Sequence, residues 1–292
     1  MTLPHQGVYV LKEISSMNIQ SPPFAIITGA SRGIGAAYAR ALSRKGYDLM
    51  LVARDQERLQ AVADDLQSHQ KGTVSIEKLD LSQPGAATQL FLASRQHRPY
   101  PDLVINNAGF GMYGPFAAMP LSRLQEMCQL HIITILETMR LFLPSMIERK
   151  AGGIINVASI AGFLPIPYMA EYAATKAFLI SLSEAVGEEV RKSGVTIQAC
   201  CPGYTETDFH ITAGVTLDPP PQTQTAQEVV LASLRALEHG HTRVPTWMQG
   251  RLLDLACRLL PRSMVIRLAG QRTLAAWNKS QKASTKGIRE RS

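Results

Sequence analysis

Tyr172 and Lys176 lie four residues apart in the segment EYAATK. The neighbouring residues are good helix formers, and side chains four apart on a helix share one face, about 5–6 Å apart at Cβ. A tyrosine hydroxyl has an ordinary pKa of about 10, and burial raises that pKa further. An ammonium about 4 Å away would offset this rise by roughly 4 kcal/mol at an effective dielectric constant of about 20. The pair is therefore suited to proton transfer near neutral pH, although either residue alone could simply serve packing or solvation.

Short β-rich runs alternate with longer helical patterns along most of the chain. Six runs predict strands, at residues 24–28, 48–53, 74–79, 103–106, 153–158 and 195–200. Five intervening patterns predict helices, at residues 33–46, 55–70, 84–96, 121–149 and 169–192. Strands separated by helices form βαβ units, and right-handed crossovers then build a sheet covered on both faces. The predicted fold class is α/β, a Rossmann-type doubly wound parallel sheet with a helical C-terminal extension.

The composition suits one large domain with extensions, since the chain has 292 residues, of which 46% are hydrophobic and 18% charged. We divide it into an irregular N-terminal extension, a Rossmann-type catalytic domain, a basic amphipathic helical extension and a flexible basic tail, at residues 1–22, 23–248, 249–280 and 281–292. No apolar run approaches the length of about 18 residues that a membrane-spanning helix needs. Residues 1–22 lack the pattern of a signal peptide, and Met1 and Met17 are both candidate starts.

The spacing of the cysteines indicates the redox state of the compartment in which the protein works. Cys128, Cys200, Cys201 and Cys257 form no C-x-x-C pair. They fit neither a zinc framework nor a disulfide scaffold, so we expect no metal site and a reducing compartment. We therefore predict a cytoplasmic protein, with membrane association as an additional hypothesis.

The net charge of +7 is concentrated near the C-terminus. From Arg251 onward there are ten Lys or Arg residues and two acidic ones, so the rest of the chain is close to neutral. A body without a basic surplus argues against nucleic-acid binding. The segment GRLLDLACRLLPR (250–262) predicts a basic amphipathic helix, and with it a peripheral contact of residues 250–292 with an anionic membrane. The alternative is a helix that covers the substrate cleft or packs on another subunit.

The glycine-rich segment TGASRGIG (28–35) joins the first predicted strand to the first predicted helix. Gly29, Gly33 and Gly35 permit a tight turn and a close approach of the backbone to a ligand. The helix that follows offers unpaired N–H groups and the positive end of its dipole, which suit a pyrophosphate. A simple glycine-rich turn is the alternative, but the position directly after the first strand favours dinucleotide binding.

The chain resembles the short-chain dehydrogenase/reductase family over about residues 22–245. Five motifs occur in the family's order, namely TGASRGIG, NNAG (106–109), Ser159, YAATK (172–176) and CPGYTET (201–207). Ser159 also precedes Tyr172 by the family's usual spacing. The resemblance is greatest to ketoreductases and to hydroxysteroid- or acyl-type dehydrogenases with an extended C-terminus, and it implies hydride transfer with a nicotinamide cofactor.

The resemblance implies the catalytic roles. Tyr172 is the expected general acid for carbonyl reduction, or the base for alcohol oxidation, while Lys176 supports it and holds the nicotinamide ribose. Ser159 is expected to hydrogen-bond the substrate oxygen. His131 stands where the family usually has an asparagine that supports a water link toward the lysine. Its imidazole, with an ordinary pKa of about 6.5, could join a proton relay, or it could be a packed helix histidine without catalytic duty.

The resemblance also implies which residues contact the cofactor. Asp80 is expected to reach the adenine, with a helix cap or turn as its alternative role, and Thr207 is expected to hold the nicotinamide carboxamide. The expected set comprises Gly29, Ser31, Arg32, Gly33, Ile34, Gly35, Arg54, Asp80, Asn106, Ala108, Gly109, Tyr172, Lys176, Pro202, Gly203, Thr205 and Thr207.

The end of the second predicted strand bears on the choice of nicotinamide cofactor. An acidic side chain there holds the ribose 2′-hydroxyl of NAD, whereas a basic one accommodates the 2′-phosphate of NADP. Ala53 stands where the acid would be, Arg54 follows it, and Arg32 lies in the glycine turn. A guanidinium is well shaped for phosphate, so we predict NADP(H), although both arginines could simply be solvated.

The substrate region is expected to be apolar, because the family's substrate segments here contain Phe110, Met112, Tyr113, Phe163, Leu164 and Tyr168. These residues could equally be ordinary core residues.

The leading hypothesis is an NADP(H)-dependent oxidoreductase for a hydrophobic ketone or secondary alcohol. We expect a homo-dimer or homo-tetramer formed through the long helices. The alternatives are a cofactor-binding sensor or scaffold with little turnover, and a membrane-surface protein that acts through its tail.

Overall fold

This computed structural model describes residues 21–67, 72–215 and 223–289. The predicted N-terminal extension as far as residue 20 lies outside the described residues, and so does most of the proline-rich loop at 218–225. Residues 290–292 of the predicted tail also lie outside them. The domain boundaries therefore stay a prediction.

A seven-stranded parallel sheet forms the centre of the fold. In chain order its strands are β1 (Phe24–Thr28), β2 (Asp48–Ala53), β3 (Val74–Lys78), β4 (Leu103–Asn106), β5 (Gly152–Val157), β6 (Val195–Cys201) and β7 (Arg243–Pro245). They pair in the order β3-β2-β1-β4-β5-β6-β7, which confirms the predicted doubly wound sheet. The chain winds from β1 to β3 and then returns to β4 on the other side of β1. This reversal opens a crevice at the carboxyl ends of β1 and β4.

Helices cover both faces of the sheet. In chain order they are α1 (Gly33–Arg44), α2 (Gln56–Gln67), α3 (Ala86–His97), α4 (Leu121–Cys128), α5 (Thr134–Arg149), α6 (Ala170–Glu189), α7 (Phe209–Thr212), α8 (Ala226–Glu238), α9 (Met248–Leu259) and α10 (Arg262–Arg289). The single helix predicted at 121–149 is present, but a π-helical turn at Gln129–Ile133 divides it into α4 and α5.

The core consists of one apolar layer on each face of the sheet. Ile26 of β1 points into the layer that contains Phe142 of α5 and Leu179 of α6. Its neighbour Ile27 points into the other layer, which contains Leu42 of α1. Because both faces are covered, β1 is buried at all five positions, so its sequence shows a continuous apolar run rather than alternation.

Helices α4 and α5 correct the expectation that no segment is long and apolar enough to span a membrane. Within residues 121–149 a window with a mean hydropathy of 1.4 is long and apolar enough to cross a bilayer, by length and composition only. However, 44% of that window is buried inside the fold, and Met139 and Phe142 pack against the sheet. A core helix passes the same test, and the buried part of this window belongs to the core.

The C-terminal extension forms two helices that lie against the body. Gly250 of α9 faces Ile160, because a Cβ added there would stand 3.1 Å from the Ile160 side chain. Gly270 of α10 faces Pro167 in the same way, at 3.0 Å. Helix α10 continues to Arg289, through most of the stretch at 281–292 that was expected to be a flexible tail.

Candidate active site

The carboxyl ends of β1, β4, β5 and β6 meet at a cleft of about 690 Å³. Most of the residues expected at the site line this cleft. They are Gly29, Ser31, Arg32, Gly33, Ile34, Arg54, Asp80, Ala108, Gly109, Ser159, Tyr172, Lys176, Pro202, Gly203, Thr205 and Thr207. Gly35, Asn106 and His131 do not line it and lie buried behind its walls.

The glycine turn can accept a phosphate group. Gly29 has φ +64°, and a Cβ there would stand 2.9 Å from the Ala108 Cα, so only glycine lets the turn approach the end of β4. A Cβ on Gly35 would stand 2.2 Å from the Gly29 carbonyl oxygen. No side chain caps the N-terminus of α1, and Arg32 occupies the capping position. The first N–H groups of α1 therefore remain available to an anion, which fits a dinucleotide pyrophosphate.

Asn106 does not line the adenosine side as expected. Its side chain is buried and donates a hydrogen bond of 2.8 Å to Asn156 on the neighbouring strand β5. The next residue, Asn107, lines the cleft instead and donates to the carbonyl oxygens of Thr28 and Gly29, at 2.9 and 3.1 Å. Successive side chains of an extended chain point to opposite sides, so only one of the two asparagines can face the cleft. This alternation explains why Asn107 lines the cleft in place of Asn106.

The far end of the cleft, beyond β2, is rich in guanidinium groups. Arg32, Arg54 and Arg58 all line it, and Arg32 and Arg54 have about half of their side-chain surface exposed. Arg54 lies 3.9 Å from Asp80 and 3.4 Å from Glu126. Burial works to raise the pKa of Asp80, but hydrogen bonds from Ser82 and Gln83, together with Arg54, lower it overall. Hydrogen bonds from the backbone and side chain of Ser82 also give Asp80 its predicted alternative role in a turn.

Tyr172 and Ser159 meet in the middle of the cleft. Tyr172 is 8% exposed, and burial raises its pKa to about 12, although a hydrogen bond with Ser159 works to lower it. The Ser159 oxygen accepts the Ala161 N–H at 3.1 Å, which orients the hydroxyl at the start of a short 3-10 turn. The phenol is therefore protonated near neutral pH, and it can donate a proton there.

Lys176 lies one helical turn beyond Tyr172 and points toward the sheet. Its ammonium donates a hydrogen bond of 2.8 Å to the Val157 carbonyl oxygen and lies 5.6 Å from the centre of the Tyr172 ring. Burial lowers the pKa of Lys176 to about 8. The expected lowering of the Tyr172 pKa by Lys176 is absent here, because burial of the phenol dominates and the ammonium faces the strand.

Both ring nitrogens of His131 are engaged in hydrogen bonds. Nε2 accepts the Phe110 N–H at 3.1 Å, so the neutral ring carries its proton on Nδ1 and donates it to the Thr175 hydroxyl, also at 3.1 Å. Thr175 in turn donates to the Tyr172 carbonyl oxygen at 2.9 Å. Burial and the nearby Lys176 lower the pKa of His131 well below its usual range. These contacts fit the packed histidine better than the proton relay, because the ring stays neutral and its nitrogens bind neither catalytic side chain.

The substrate end of the cleft contains residues that the sequence did not single out. Tyr204 and His210 stack with their ring centres 4.4 Å apart, and the Tyr113 hydroxyl lies 3.2 Å from His210 Nδ1. Phe209 lies with its ring centre 5.4 Å from that of Tyr172. Among the residues predicted there, Phe110 and Tyr113 line the cleft, whereas Phe163 packs against the core beneath Arg243. The position of Tyr204, Phe209 and His210 just after β6 was the sequence signal that they lie at the site. Their ring contacts depend on the tertiary fold, so the sequence does not indicate them.

A doubly wound parallel sheet with a glycine turn and a cleft at its switch point defines a Rossmann-type dinucleotide-binding protein. The sequence model described as short chain dehydrogenase matches residues 23–216. The chain therefore belongs to the short-chain dehydrogenase/reductase family, as the motifs predicted. It is an oxidoreductase that acts on carbonyl or alcohol groups with a nicotinamide cofactor.

Named relatives agree with this class. The chain is 31% identical to a ketoacyl reductase, HetN, from Nostoc sp., over 75% of this chain and 76% of the relative. It is 30% identical to very-long-chain 3-oxoacyl-CoA reductase-B from Danio rerio, over 79% and 76% of the two chains. The solved structure of a short-chain dehydrogenase from Sphingobium yanoikuyae in complex with NADPH is 31% identical, with a TM-score of 0.73 over 81% of this chain and 94% of that one.

Replacing His131 with asparagine should make the free energy of unfolding depend less steeply on pH in the acidic range. The folded protein keeps His131 neutral because its pKa is lowered, whereas the unfolded chain takes up a proton below a pH of about 6.5. The free energy of unfolding should therefore fall with decreasing pH by up to about 1.4 kcal/mol per pH unit from this residue alone. Urea unfolding of wild type and His131→Asn between pH 7 and pH 5 measures the difference in slope.

Substitution of the exposed His97 by asparagine is the matched control, because it removes no buried imidazole and should leave the slope unchanged. Equal slopes for wild type and His131→Asn would contradict a neutral, buried His131.

Proposed function

We propose that this protein is an NADP(H)-dependent oxidoreductase for a hydrophobic ketone or secondary alcohol, with Tyr172 as the general acid or base. The observation that carries the proposal is the convergence of Tyr172, Ser159 and Lys176 in one buried part of the cleft. A bound nicotinamide supplies the hydride for reduction, or accepts it in the reverse direction.

In reduction, the Tyr172 hydroxyl gives its proton to the substrate oxygen while the carbonyl carbon becomes a secondary alcohol carbon. Its pKa of about 12 keeps the phenol protonated at neutral pH, so Tyr172 can act as the proton donor in reduction. Ser159 hydrogen-bonds the substrate oxygen as negative charge develops on it. Lys176 is expected to hold the nicotinamide ribose, while its ammonium stays hydrogen-bonded to the Val157 carbonyl oxygen.

The guanidinium groups beyond β2 support NADP(H) rather than NAD(H). The cleft offers Arg54 directly after β2, Arg58 in the first turn of α2 and Arg32 in the glycine turn. A phosphate at this point would displace the weak contacts of Arg54 with Asp80 and Glu126 in favour of charge-assisted hydrogen bonds. Asp55, the acidic residue nearest to the end of β2, lies 3.3 Å from Arg58.

The substrate end supports a hydrophobic substrate. Phe110, Met169 and Phe209 form its apolar walls, while Tyr113 and His210 add two polar groups. Such a lining suits a carbonyl compound with a large apolar group and few polar anchors. The ketoacyl and 3-oxoacyl-CoA reductases among the relatives support a fatty acyl substrate within this class.

Assembly and location complete the proposal. Leu121, Leu136 and Ile147 on α4 and α5 are exposed apolar side chains, which supports a homo-dimer or homo-tetramer formed through these helices. We place the protein in the cytoplasm, in peripheral contact with a membrane through residues 250–292.

Light scattering of the wild type should give a mass of two or four chains, and Leu121→Glu with Leu136→Glu should reduce that mass. A monomeric wild type contradicts the assembly.

Replacing Tyr172 with phenylalanine should lower kcat by about 100- to 10,000-fold, because the proton donor is lost while the aromatic packing is kept. The measurement is NADPH oxidation with a panel of lipophilic ketones and 3-oxoacyl thioesters. NADPH affinity, measured by fluorescence titration, should be nearly unchanged. Tyr100→Phe is the matched control at an exposed tyrosine and should retain full activity. Turnover close to wild type in Tyr172→Phe would falsify the assigned role.

Replacing Arg54 with glutamine should weaken NADPH binding by about 10- to 100-fold and leave NADH binding nearly unchanged, because only NADPH carries the 2′-phosphate. The ratio of kcat/KM for the two cofactors checks the preference. Arg40→Gln is a suitable control, since Arg40 forms an exposed ion pair with Asp65. A wild-type preference for NADH, or an equal loss with both cofactors, is incompatible with this assignment.

A further inference from the structure

Helix α9 carries an apolar stripe that points away from the protein. Met248, Leu252, Leu255 and Leu259 follow the spacing i, i+4, i+7 and i+11, which places them on one helix face. Each of the four is between 52% and 74% exposed. A surface helix normally turns such a stripe toward the core, so this face of α9 has no partner within the described part of the chain.

The opposite face of α9 is the one that holds the helix to the body. Gly250 lies close to Ile160, and Asp254 forms an ion pair with Arg243 of β7. The contacts that fix α9 are thus already made by other residues. The exposed leucines are not needed for docking onto the body, and their apolar character calls for a second partner.

Helix α10 repeats this two-sided arrangement. Its inner face includes Gly270 and Thr273, which are buried against the body. Met264 and Leu268 lie on the opposite side of the helix and are 41% and 52% exposed. Because residues four apart share a face, these two form an outward apolar pair on α10 as well.

The charges around this surface are positive. Arg251, Arg262, Arg267 and Arg272 are exposed on the two helices. The acidic residue within residues 248–289 is Asp254, and Arg243 neutralises it. The rest of the chain is close to neutral, and the four described arginines are part of the surplus positive charge that the sequence carries from residue 251 onward. Arginine side chains at the edge of an apolar helix face can extend their charged groups toward lipid headgroups.

We infer that α9 and α10 form a lipid-binding face that docks on an anionic bilayer surface. The lipid-binding face consists of Met248, Leu252, Leu255, Leu259, Met264 and Leu268. Their side chains enter the boundary between headgroups and acyl chains, while the flanking arginines contact anionic headgroups. This combination of an apolar stripe with a one-sided charge fits a membrane surface better than a second copy of the chain, which would repeat the positive charge.

The contacts of α10 place this face next to the substrate end of the cleft. Trp277 lies against Gly114, where a Cβ would stand 3.4 Å from the indole, and Ser280 donates a hydrogen bond of 3.1 Å to the Gly214 carbonyl. Gly270 lies against Pro167 in a third loop at that end. Helix α10 therefore lies between the bilayer and the loops around the substrate end. A membrane-bound protein would thus hold the substrate end of its cleft on the bilayer side, and this last step rests on the proposed function.

Vesicle co-sedimentation of the full chain tests the lipid-binding face. The wild type should bind vesicles of phosphatidylcholine with phosphatidylserine, bind pure phosphatidylcholine more weakly, and lose binding as the salt concentration rises. Leu255→Glu with Leu259→Glu should lower the partition coefficient by about tenfold or more. Arg267→Gln with Arg272→Gln should lower the preference for phosphatidylserine vesicles by about 30-fold, the equivalent of about 1 kcal/mol for each of the two basic residues.

Leu92→Glu with Leu231→Glu is the matched control, since both residues are exposed leucines outside α9 and α10 and the change in charge is the same. This control should bind vesicles like the wild type. A Leu255/Leu259 variant that sediments like the wild type overturns the inference. The inference is also overturned if the variant binds vesicles as well as the wild type but has a lower molecular mass in solution. That result would identify a second copy of the chain as the partner of this face.

Turnover of a water-soluble ketone separates this inference from the proposed function. The Leu255/Leu259 variant should keep wild-type turnover in the absence of vesicles, because neither residue belongs to the cleft. Vesicle binding without any turnover by the wild type would contradict the proposed function alone. Turnover without vesicle binding by the wild type would contradict the lipid-binding face and the membrane contact of residues 250–292, but not the proposed oxidoreductase activity.

Discussion

The hydrogen bond from the Lys176 ammonium to the Val157 carbonyl oxygen aligns the whole catalytic region. A buried ammonium is costly unless its hydrogen bonds are satisfied, so this contact fixes α6 against the end of β5. Ser159 follows Val157 by two residues, and Tyr172 precedes Lys176 by one helical turn. This contact therefore helps to set the register that brings the serine and tyrosine hydroxyls together.

His131 provides a second connection between the halves of the site. Its ring joins the backbone at Phe110, after β4, to Thr175 on α6. Thr175 then binds the carbonyl oxygen of Tyr172, so the imidazole supports the helix turn that carries the phenol. The π-helical turn that contains His131 makes this position possible, since an enlarged turn changes which side chains point inward. The departure from the usual asparagine is therefore accommodated by packing.

The sequence predicted the fold well because its signals are local. Strands β1, β2, β4 and β5 consist mainly of apolar residues, whereas β3 and β6 alternate apolar with polar residues, and both patterns are local signals. The glycine turn is defined by the steric needs of consecutive residues. The expectation that Ser159 lies beside Tyr172 came from the family's spacing and not from periodicity, and in the structure the two hydroxyls are hydrogen-bonded. Strand β7 was missed because three residues with a terminal proline carry no recognisable pattern.

The side-chain partners were less predictable, because they depend on residues far apart in the chain. Asn106 and Asn107 are both asparagines, and only the direction of the chain after β4 decides which one faces the cleft. The stacking of His210 on Tyr204, and its contact with Tyr113, likewise join segments that the sequence separates. Spacing therefore predicts where a site lies, whereas tertiary packing decides which donors and acceptors face it.

The inner face of α10 has a practical consequence for work with shortened chains. A protein ending at residue 216, where the family match ends, would lack Trp277, Gly270 and the cover they form over Gly114 and Pro167. The same cut would remove α8, and with it Val229 and Val230 from the core layer beneath β1. Newly uncovered apolar surface favours aggregation. Expression of the intact C-terminal helices is accordingly a condition for obtaining soluble, monodisperse protein.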